Sequence, residues 1–390
     1  MQLAEIQNAL REEKLDGWLF FDHHQRDPLA YRILGLNPGA TATRRWYYFI
    51  PTSGEPRALV HRIESGILDS LPGQKHIYSG WGAQTGGLQW LLSGTKRVAM
   101  QYSPLCAIPY VSLVDAGTVE LVRQTGVEVA SSANLVQLFE ARWTNDQLES
   151  HLEAGRRVDR IRAAAFAHIA DALRTHTAIT EWDVNRFIRT AFEADGLVTD
   201  HGPIVAVNAN MSDPHYEPTQ DHHLPITHSD CVLIDMWAKL NQPHAVYYDI
   251  TWTGFAGTYP PSEFLNIFDV TTKARDRGVE HVQKAMRNRE ALHGFEVDDA
   301  TRGYIAERGF AEYFVHRTGH SIGEEVHGTG ANMDNLETHD ERCVIAGTCF
   351  SIEPGVYLPN FGVRSEVNVY VSEGDARVTG EIQYALVMLT

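Results

Sequence analysis

Residues 231–255, CVLIDMWAKLNQPHAVYYDITWTGF, contain two apolar, β-rich runs, each carrying one aspartate, Asp235 and Asp249. Between them Asn241, Gln242 and Pro243 break the pattern and can turn the chain. A hairpin at this place sets the two carboxylates side by side. Either aspartate alone could be an ordinary turn or strand-end residue. A charge flanked on both sides by strand formers is harder to account for, because burying it without a partner is costly.

A second acidic pair lies downstream, Glu353 in CFSIEPGVYL and Glu366 in FGVRSEVNVYV. Alternation through Phe350, Ile352, Val363, Val367 and Val369 favours two paired strands joined through Pro359, Asn360 and Gly362. Each glutamate by itself could belong to a structural salt bridge. Between the two acidic pairs lies HRTGHSIGEEVH, with His316, His320 and His327. Its HxxxH spacing lacks the glutamate of a zinc-protease helix, and Gly319 and Gly323 weaken any helix, so that reading is rejected. A single histidine there is more often a hydrogen-bonded core residue than a ligand.

Four acids embedded in strands repel one another unless cations hold them. Mostly oxygen ligands with one imidazole suit manganese, cobalt, iron or zinc, not a thiolate-type structural zinc. Two ions balance four carboxylates, and two ions about 3.5–4 Å apart activate a water near neutral pH and polarise a carbonyl. Metal-assisted hydrolysis is the expected chemistry.

The rest of the chain sets the frame. At 390 residues two domains are expected. Runs such as Trp18–Phe21, Arg45–Ile50, Ala58–His61 and Val98–Tyr102 alternate with helical patterns, an α/β texture. At Thr144 a helix cap begins a different layout, with Ile161, Ala165, Ile169 and Leu173 at four-residue steps. The expected domains are therefore 1–143, α/β, and 144–390, α+β. Further helices are expected around Trp182–Ala194, Glu263–Met286 and Val297–Arg308. A formal charge of −17 argues against nucleic acid as a partner. Four cysteines without a CxxC pair, no visible secretion signal and no apolar run of membrane-spanning length point to a cytoplasmic protein with no membrane partner.

In order and motif, these segments resemble the pita-bread metallopeptidases: methionine aminopeptidase, aminopeptidase P and prolidase, with creatinase as a metal-free relative. GHSIG, EVH, IEPGVY and GVRSE carry the similarity, which spans roughly residues 145–390. The preceding α/β domain resembles the prolidase, aminopeptidase P and creatinase branch. The resemblance implies that Asp235 chelates one metal, that His320 and Glu353 bind the other, and that Asp249 and Glu366 bridge them. Glu353 would also relay a proton to the leaving nitrogen. His327 and His316 would lie near the scissile carbonyl, His215 would contact substrate, and Arg364 and Tyr357 would line the pocket. Thr251 matches a threonine that supports the site.

The activity this resemblance implies is hydrolysis of Xaa-Pro bonds in short proline-containing peptides by a homodimer holding two divalent metals, manganese first. Xaa-Pro dipeptidase leads and aminopeptidase P is the alternative. Rivals are a small-molecule hydrolase of the ectoine or creatinase type, a lyase, and a non-catalytic binding module. Asp235 and Asp249 are spaced fourteen apart where the family spaces them eleven. Trp237, Trp252, Gly328 and Val367 also depart from the family pattern, and the departures are expected to cluster around the pocket.

Overall fold

Uninterrupted apolar runs in the first half need burial on both faces, which a sheet covered on two sides supplies. In the computed structural model, which describes residues 2–390, this sheet belongs to the first of two units, Met1–Glu140 and Ala141–Thr390. Its strands are β1 (Gly17–Asp22), β2 (Trp46–Pro51), β3 (Arg57–His61), β4 (Gln74–Tyr78), β5 (Arg97–Met100) and β6 (Glu128–Ser131), ordered β4-β3-β2-β1-β5-β6. β2 runs antiparallel to both β1 and β3, and the other neighbours are parallel. Strand alternation sends Trp18, Phe20, Trp46 and Tyr48 into one core and Leu19, Phe21, Tyr47 and Phe49 into another. Helices α1 (Leu3–Glu12), α2 (Pro28–Leu34) and α5 (Ala133–Val136) complete the first core, and α3 (Trp81–Leu91) and α4 (Ala116–Arg123) the second.

Trp143 is already anchored in the second unit, its backbone N–H donating to Gly347 at 2.7 Å and its indole to the Ile322 carbonyl at 3.2 Å. Thr144 then opens α6 (Asn145–Arg174). Its hydroxyl accepts from the Gln147 backbone, and the Gln147 side chain accepts from Thr144 in return. Three more helices come after it, α7 (Glu181–Ala194), α8 (Ser262–Asn288) and α9 (Gly294–Glu307). The strands are β7 (Leu197–Val198), β8 (Ile204–Val207), β9 (Cys231–Leu240), β10 (Tyr248–Phe255), β11 (Ser321–Ile322), β12 (Cys349–Ile352), β13 (Gly355–Leu358), β14 (Phe361–Arg364), β15 (Val367–Ser372), β16 (Asp375–Thr379) and β17 (Val387–Met388).

Three sheets result: β17-β10-β9-β7 with β8 also on β9, then β11-β12-β15-β16, and the β13–β14 hairpin. Val232, Ile234, Met236 and Ile250 face the apolar stripe of α6, where Ile161, Ala165 and Ile169 lie. By strand alternation Asp235, Asp249 and Thr251 occupy the opposite face.

The glutamates differ from the expectation of residues inside one strand pair. Glu353 follows the last residue of β12 and Glu366 precedes the first of β15, at the end where Ile352 pairs with Val367. Pro359 and Asn360 turn a separate hairpin, β13–β14, inserted between them. Pro354 explains the exit, since it has no N–H to extend the ladder.

Candidate metal centre

β9 and β10 pair with Thr251 opposite Asp235 and Asp249 opposite Trp237, so all four side chains share one face. Gly319 bridges to Met333 and Ser321–Ile322 form β11, and a close backbone approach brings this segment to β12: a Cβ on Gly319 would stand 1.9 Å from the Ser351 carbonyl oxygen. Only glycine fits. His320 and Ser351 are then joined twice, Ser351 N–H to the His320 carbonyl at 2.9 Å and His320 N–H to Ser351 Oγ at 2.9 Å.

Asp249, His320 and Glu366 converge, with one ligand atom from each within 4.8 Å of the others, all buried. His320 Nδ1 lies 3.1 Å from the Ser321 carbonyl, to which it donates, leaving Nε2 to face Glu353 Oε1 at 3.3 Å and Asp249 Oδ2 at 3.5 Å. Asp235 and Glu353 flank this trio and meet the Arg364 guanidinium. Nη2 donates to Asp235, and Nε lies 4.0 Å from Glu353 Oε2.

Burial dominates the electrostatics. It pushes Asp249 up to about 7, helped by the charges of Asp235 and Glu353 and opposed by His320. Glu366 is raised well above the usual range by burial and then by Asp249, Glu353 and Asp235. Asp235 is raised by burial against the pull of Arg364. Burial would raise Glu353 too, but His320, His316 and Arg364 outweigh it and hold its carboxyl low. Asp249 Oδ1 and Glu366 Oε1 are buried and have no hydrogen-bond partner among the described residues. Two orphaned carboxylate oxygens beside an imidazole nitrogen form a donor set that fits a divalent cation, because an anion so buried is stable only when charge-balanced.

The surrounding residues lock this set. Thr251 Oγ1 donates to Glu366 Oε2 at 2.9 Å and accepts from Arg364 Nε at 3.1 Å. Ser351 Oγ donates to Glu353 Oε1 at 2.9 Å. Asn368 brackets the Asp249 backbone, accepting from its N–H at 3.2 Å and donating to its carbonyl. Sequence reasoning missed Ser351 and Asn368. Their signal is a polar side chain amid the apolar residues of CFSIEP and EVNVY.

His316 and His327 take different places. His316 donates from Nδ1 to the Arg317 carbonyl at 2.7 Å, so Nε2 accepts from the Tyr357 hydroxyl at 2.7 Å. Tyr357 in turn accepts from Arg364 Nη1 at 3.0 Å. Both nitrogens of His316 are consumed, consistent with burial lowering it to about 4. In this arrangement His316 braces Tyr357. His327 packs edge-on against His320, centroids 4.3 Å apart, exposed at the rim, and the His320 charge is the main cause lowering its pKa. A neutral His327 retains a ring N–H for a ligand. His215 is also exposed; its own N–H caps Asp213, and the neighbouring Pro214 carbonyl lies 3.4 Å from Arg364 Nη1.

The departures do not all surround the site. Trp252 sits opposite Ile234 on the helix face of the sheet, with the Arg162 guanidinium 3.4 Å over its ring, so it lies away from the carboxylates. Strand alternation decides this: Thr251 faces the cluster, and its neighbour cannot. Trp237 does share the cluster's face, its indole donating to Asp200 at 2.9 Å and its ring covering Gly202. Gly328 is held by Ser321, its N–H donating to that carbonyl at 2.6 Å.

The Xaa-Pro dipeptidase of Pyrococcus furiosus is 32% identical to this chain over 153 residues, 39% of this chain and 40% of that protein. The chain spans about half the length of the curated relatives it matches. Dipeptidase PepE from Mycobacterium ulcerans superposes with a TM-score of 0.71 at 22% identity, over 100% of this chain and 97% of that one. An X-prolyl aminopeptidase from Caenorhabditis elegans, a cytosolic enzyme with a di-nuclear active site, gives 0.69 at 17% identity over 99% and 63%. These likenesses show the fold, an α+β pita-bread unit after an α/β one. The sequence profile of metallopeptidase family M24 matches residues 151–373, a span that includes all five candidate ligand positions and more than half of the chain, and the chain belongs to that family.

Proposed function

We propose that this metallopeptidase hydrolyses Xaa-Pro peptide bonds, as an Xaa-Pro dipeptidase first and an Xaa-Pro aminopeptidase as the alternative. The observation that carries the reading is the convergence of Asp249, His320 and Glu366 with buried, unpartnered carboxylate oxygens. In this reading Asp235, Asp249, His320, Glu353 and Glu366 would hold two divalent ions, manganese first. Such a pair supplies a water activated near neutral pH and a Lewis acid for the carbonyl.

The chain's own groups do the rest. Glu353, held low by His320, His316 and Arg364, accepts a proton and returns it to the leaving proline nitrogen. His327, with an N–H to spare, donates to the carbonyl oxygen as charge develops there. His215 contacts the substrate from the 213–216 turn. Arg364 and Tyr357 position Asp235, Thr251 and His316, so Arg364 acts through these contacts before it acts on a substrate carboxylate. The relatives named for proline-directed cleavage support the bond type. An Xaa-Pro bond is a tertiary amide without an N–H, which sets it apart for a dedicated site.

One observation favours a second reading, hydrolysis of a small amidine or a lyase reaction. Trp237 stands opposite Asp249 with its indole fixed on Asp200, filling space beside the cluster. A homodimer and a cytoplasmic setting accompany the main reading, with sedimentation and localisation as their tests. The deciding experiment reloads metal-free protein with manganese, cobalt or zinc and offers Ala-Pro, Ala-Pro-Ala, Ala-Ala, creatine and ectoine. Cleavage of Ala-Pro alone establishes the dipeptidase, and cleavage of Ala-Pro-Ala as well establishes the aminopeptidase. Silence on both, with metal bound, overturns the proline reading.

A further inference from the structure

The first unit contains a cleft of about 600 Å³ whose lining includes Arg26, Arg44, Arg45, His23, His24 and Trp81. In a chain of charge −17, three arginines around one cleft call for a partner. The nearby carboxylates accept their hydrogen bonds from other groups, although the Arg26 charge bears on Asp115 and the Arg44 charge on Glu64. Asp22 accepts from the backbone of Gln25, Arg26 and Asp27 and from the Tyr31 hydroxyl. Glu64 accepts from Thr43 N–H and hydroxyl and from Arg44 N–H. Asp115 accepts from Thr118 N–H and hydroxyl. Among the described residues the Arg44 guanidinium hydrogen-bonds to the neutral oxygens of Thr43 alone. Among the described residues the guanidinium groups of Arg26 and Arg45 have no hydrogen bond or ion pair.

Other features of the cleft fit a ligand. Gln84, 3% exposed, donates through Nε2 to the Tyr47 hydroxyl at 2.6 Å, and its amide oxygen has no hydrogen bond among the described residues. Trp81 is 84% exposed at the rim and offers a bare aromatic face. His61 is not a donor to the cleft: Nδ1 accepts from Ile63 N–H and Nε2 is bound to the Ser79 carbonyl at 3.1 Å, bracing the approach to α3. His24 and Gln25 both hold left-handed backbone, with φ of 62° and 55°, a strained conformation that clusters at binding sites. His23 is lowered by burial and then by His24, Arg26 and Arg45, against the opposing charge of Asp22.

We infer that this cleft binds a small organic anion, a carboxylate or phosphate carried on a planar ring, with Arg26 and Arg45 taking the anion and Trp81 the ring. The inference needs only residues of the first unit and stands whatever the metal centre hydrolyses.

Calorimetric titration of the full chain with phenyl phosphate, benzoate and neutral benzamide tests it, with and without chelator. Saturable one-to-one binding of an anion is expected, indifferent to metal removal and weakened by 0.5 M salt, with benzamide silent. Whichever anion binds more tightly identifies the headgroup. The Arg26→Ala/Arg45→Ala double variant is expected to weaken binding at least tenfold, and Trp81→Ala severalfold. Arg45→Glu provides a second charge test if the double variant loses its native circular dichroism. Absence of binding at millimolar anion, or unchanged affinity in folded arginine variants, would overturn the inference. So would a double variant that changes oligomeric state while its anion affinity stays the same, since the arginines would then serve contact between copies.

Discussion

Replacing Asp249 by Asn should stabilise the protein without metal and destabilise it with metal. The Asp249 carboxyl is pushed by burial from 3.8 to about 7 in the folded chain. A folded-state pKa above the unfolded one means that the folded chain holds the extra proton. Stability is then complete below about pH 4 and is lost as pH rises through about 7. At pH 8 about three pKa units at 1.36 kcal/mol each set an upper bound of about 4 kcal/mol for keeping this acid ionised. Asparagine carries no charge and escapes that cost. If half the bound is realised, about 2 kcal/mol, the melting midpoint of a unit of this size rises by about 4–8 °C.

Metal reverses the order. A cation at a thousand times its dissociation constant stabilises the wild type by about 4 kcal/mol, and the variant, lacking a charged bridging ligand, forfeits most of it. The assay is thermal unfolding at pH 8 in chelator and again with saturating manganese. An Asn variant that melts at or below wild type in chelator, or that keeps the full metal-induced rise, refutes the argument that these carboxylates are assembled to hold a cation.

His327→Ala should lower kcat by about 10²–10³-fold with metal content unchanged, as expected for loss of a donor to a developing oxyanion. Metal loss in that variant would instead make His327 a ligand. Ser351→Ala should weaken metal binding by about 10–100-fold, because Ser351 Oγ links His320 N–H to Glu353, and equilibrium dialysis reads this directly. His151 is fully buried between the Tyr247 carbonyl and the Thr379 hydroxyl, and burial depresses it to about 4. The unfolded chain takes up that proton near pH 6.5 and the folded chain does not. Stability is therefore full above about 6.5 and falls by up to about 3 kcal/mol as pH drops toward 4. Denaturant unfolding of wild type and His151→Gln at pH 7.5 and 4.5 should show the larger loss in wild type; parallel losses would retire the role.

Much of the fold is local information. Thr144 and Gln147 cap α6 because the bonding groups lie three residues apart, and Ile161, Ala165 and Ile169 fall on one helix face by the helix period alone. The strand character of CVLIDMWA and YYDITWTGF is equally local, and the longer loop between Asp235 and Asp249 still closes an antiparallel pair. Alternation misleads around Glu353 and Glu366, where Pro354 ends one strand and an inserted hairpin replaces a direct connection. Trp252 misleads likewise, since proximity in sequence to Asp249 says nothing about which face a residue takes until the register is known.

Residue types and their order are legible in the string: two aspartates, a histidine and two glutamates within an acidic two-part chain. Who neutralises whom is settled by packing. Thr251 meets Glu366 across 115 residues and Arg364 meets Asp235 across 129. The pairing of His316 with Tyr357 likewise settles which histidine keeps a free N–H. Periodicity and capping arise from steric and hydrogen-bond rules within a few residues, so they are legible in a string. Buried charge compensation depends on which distant segments share a low-dielectric interior, and that is set only when the chain has packed.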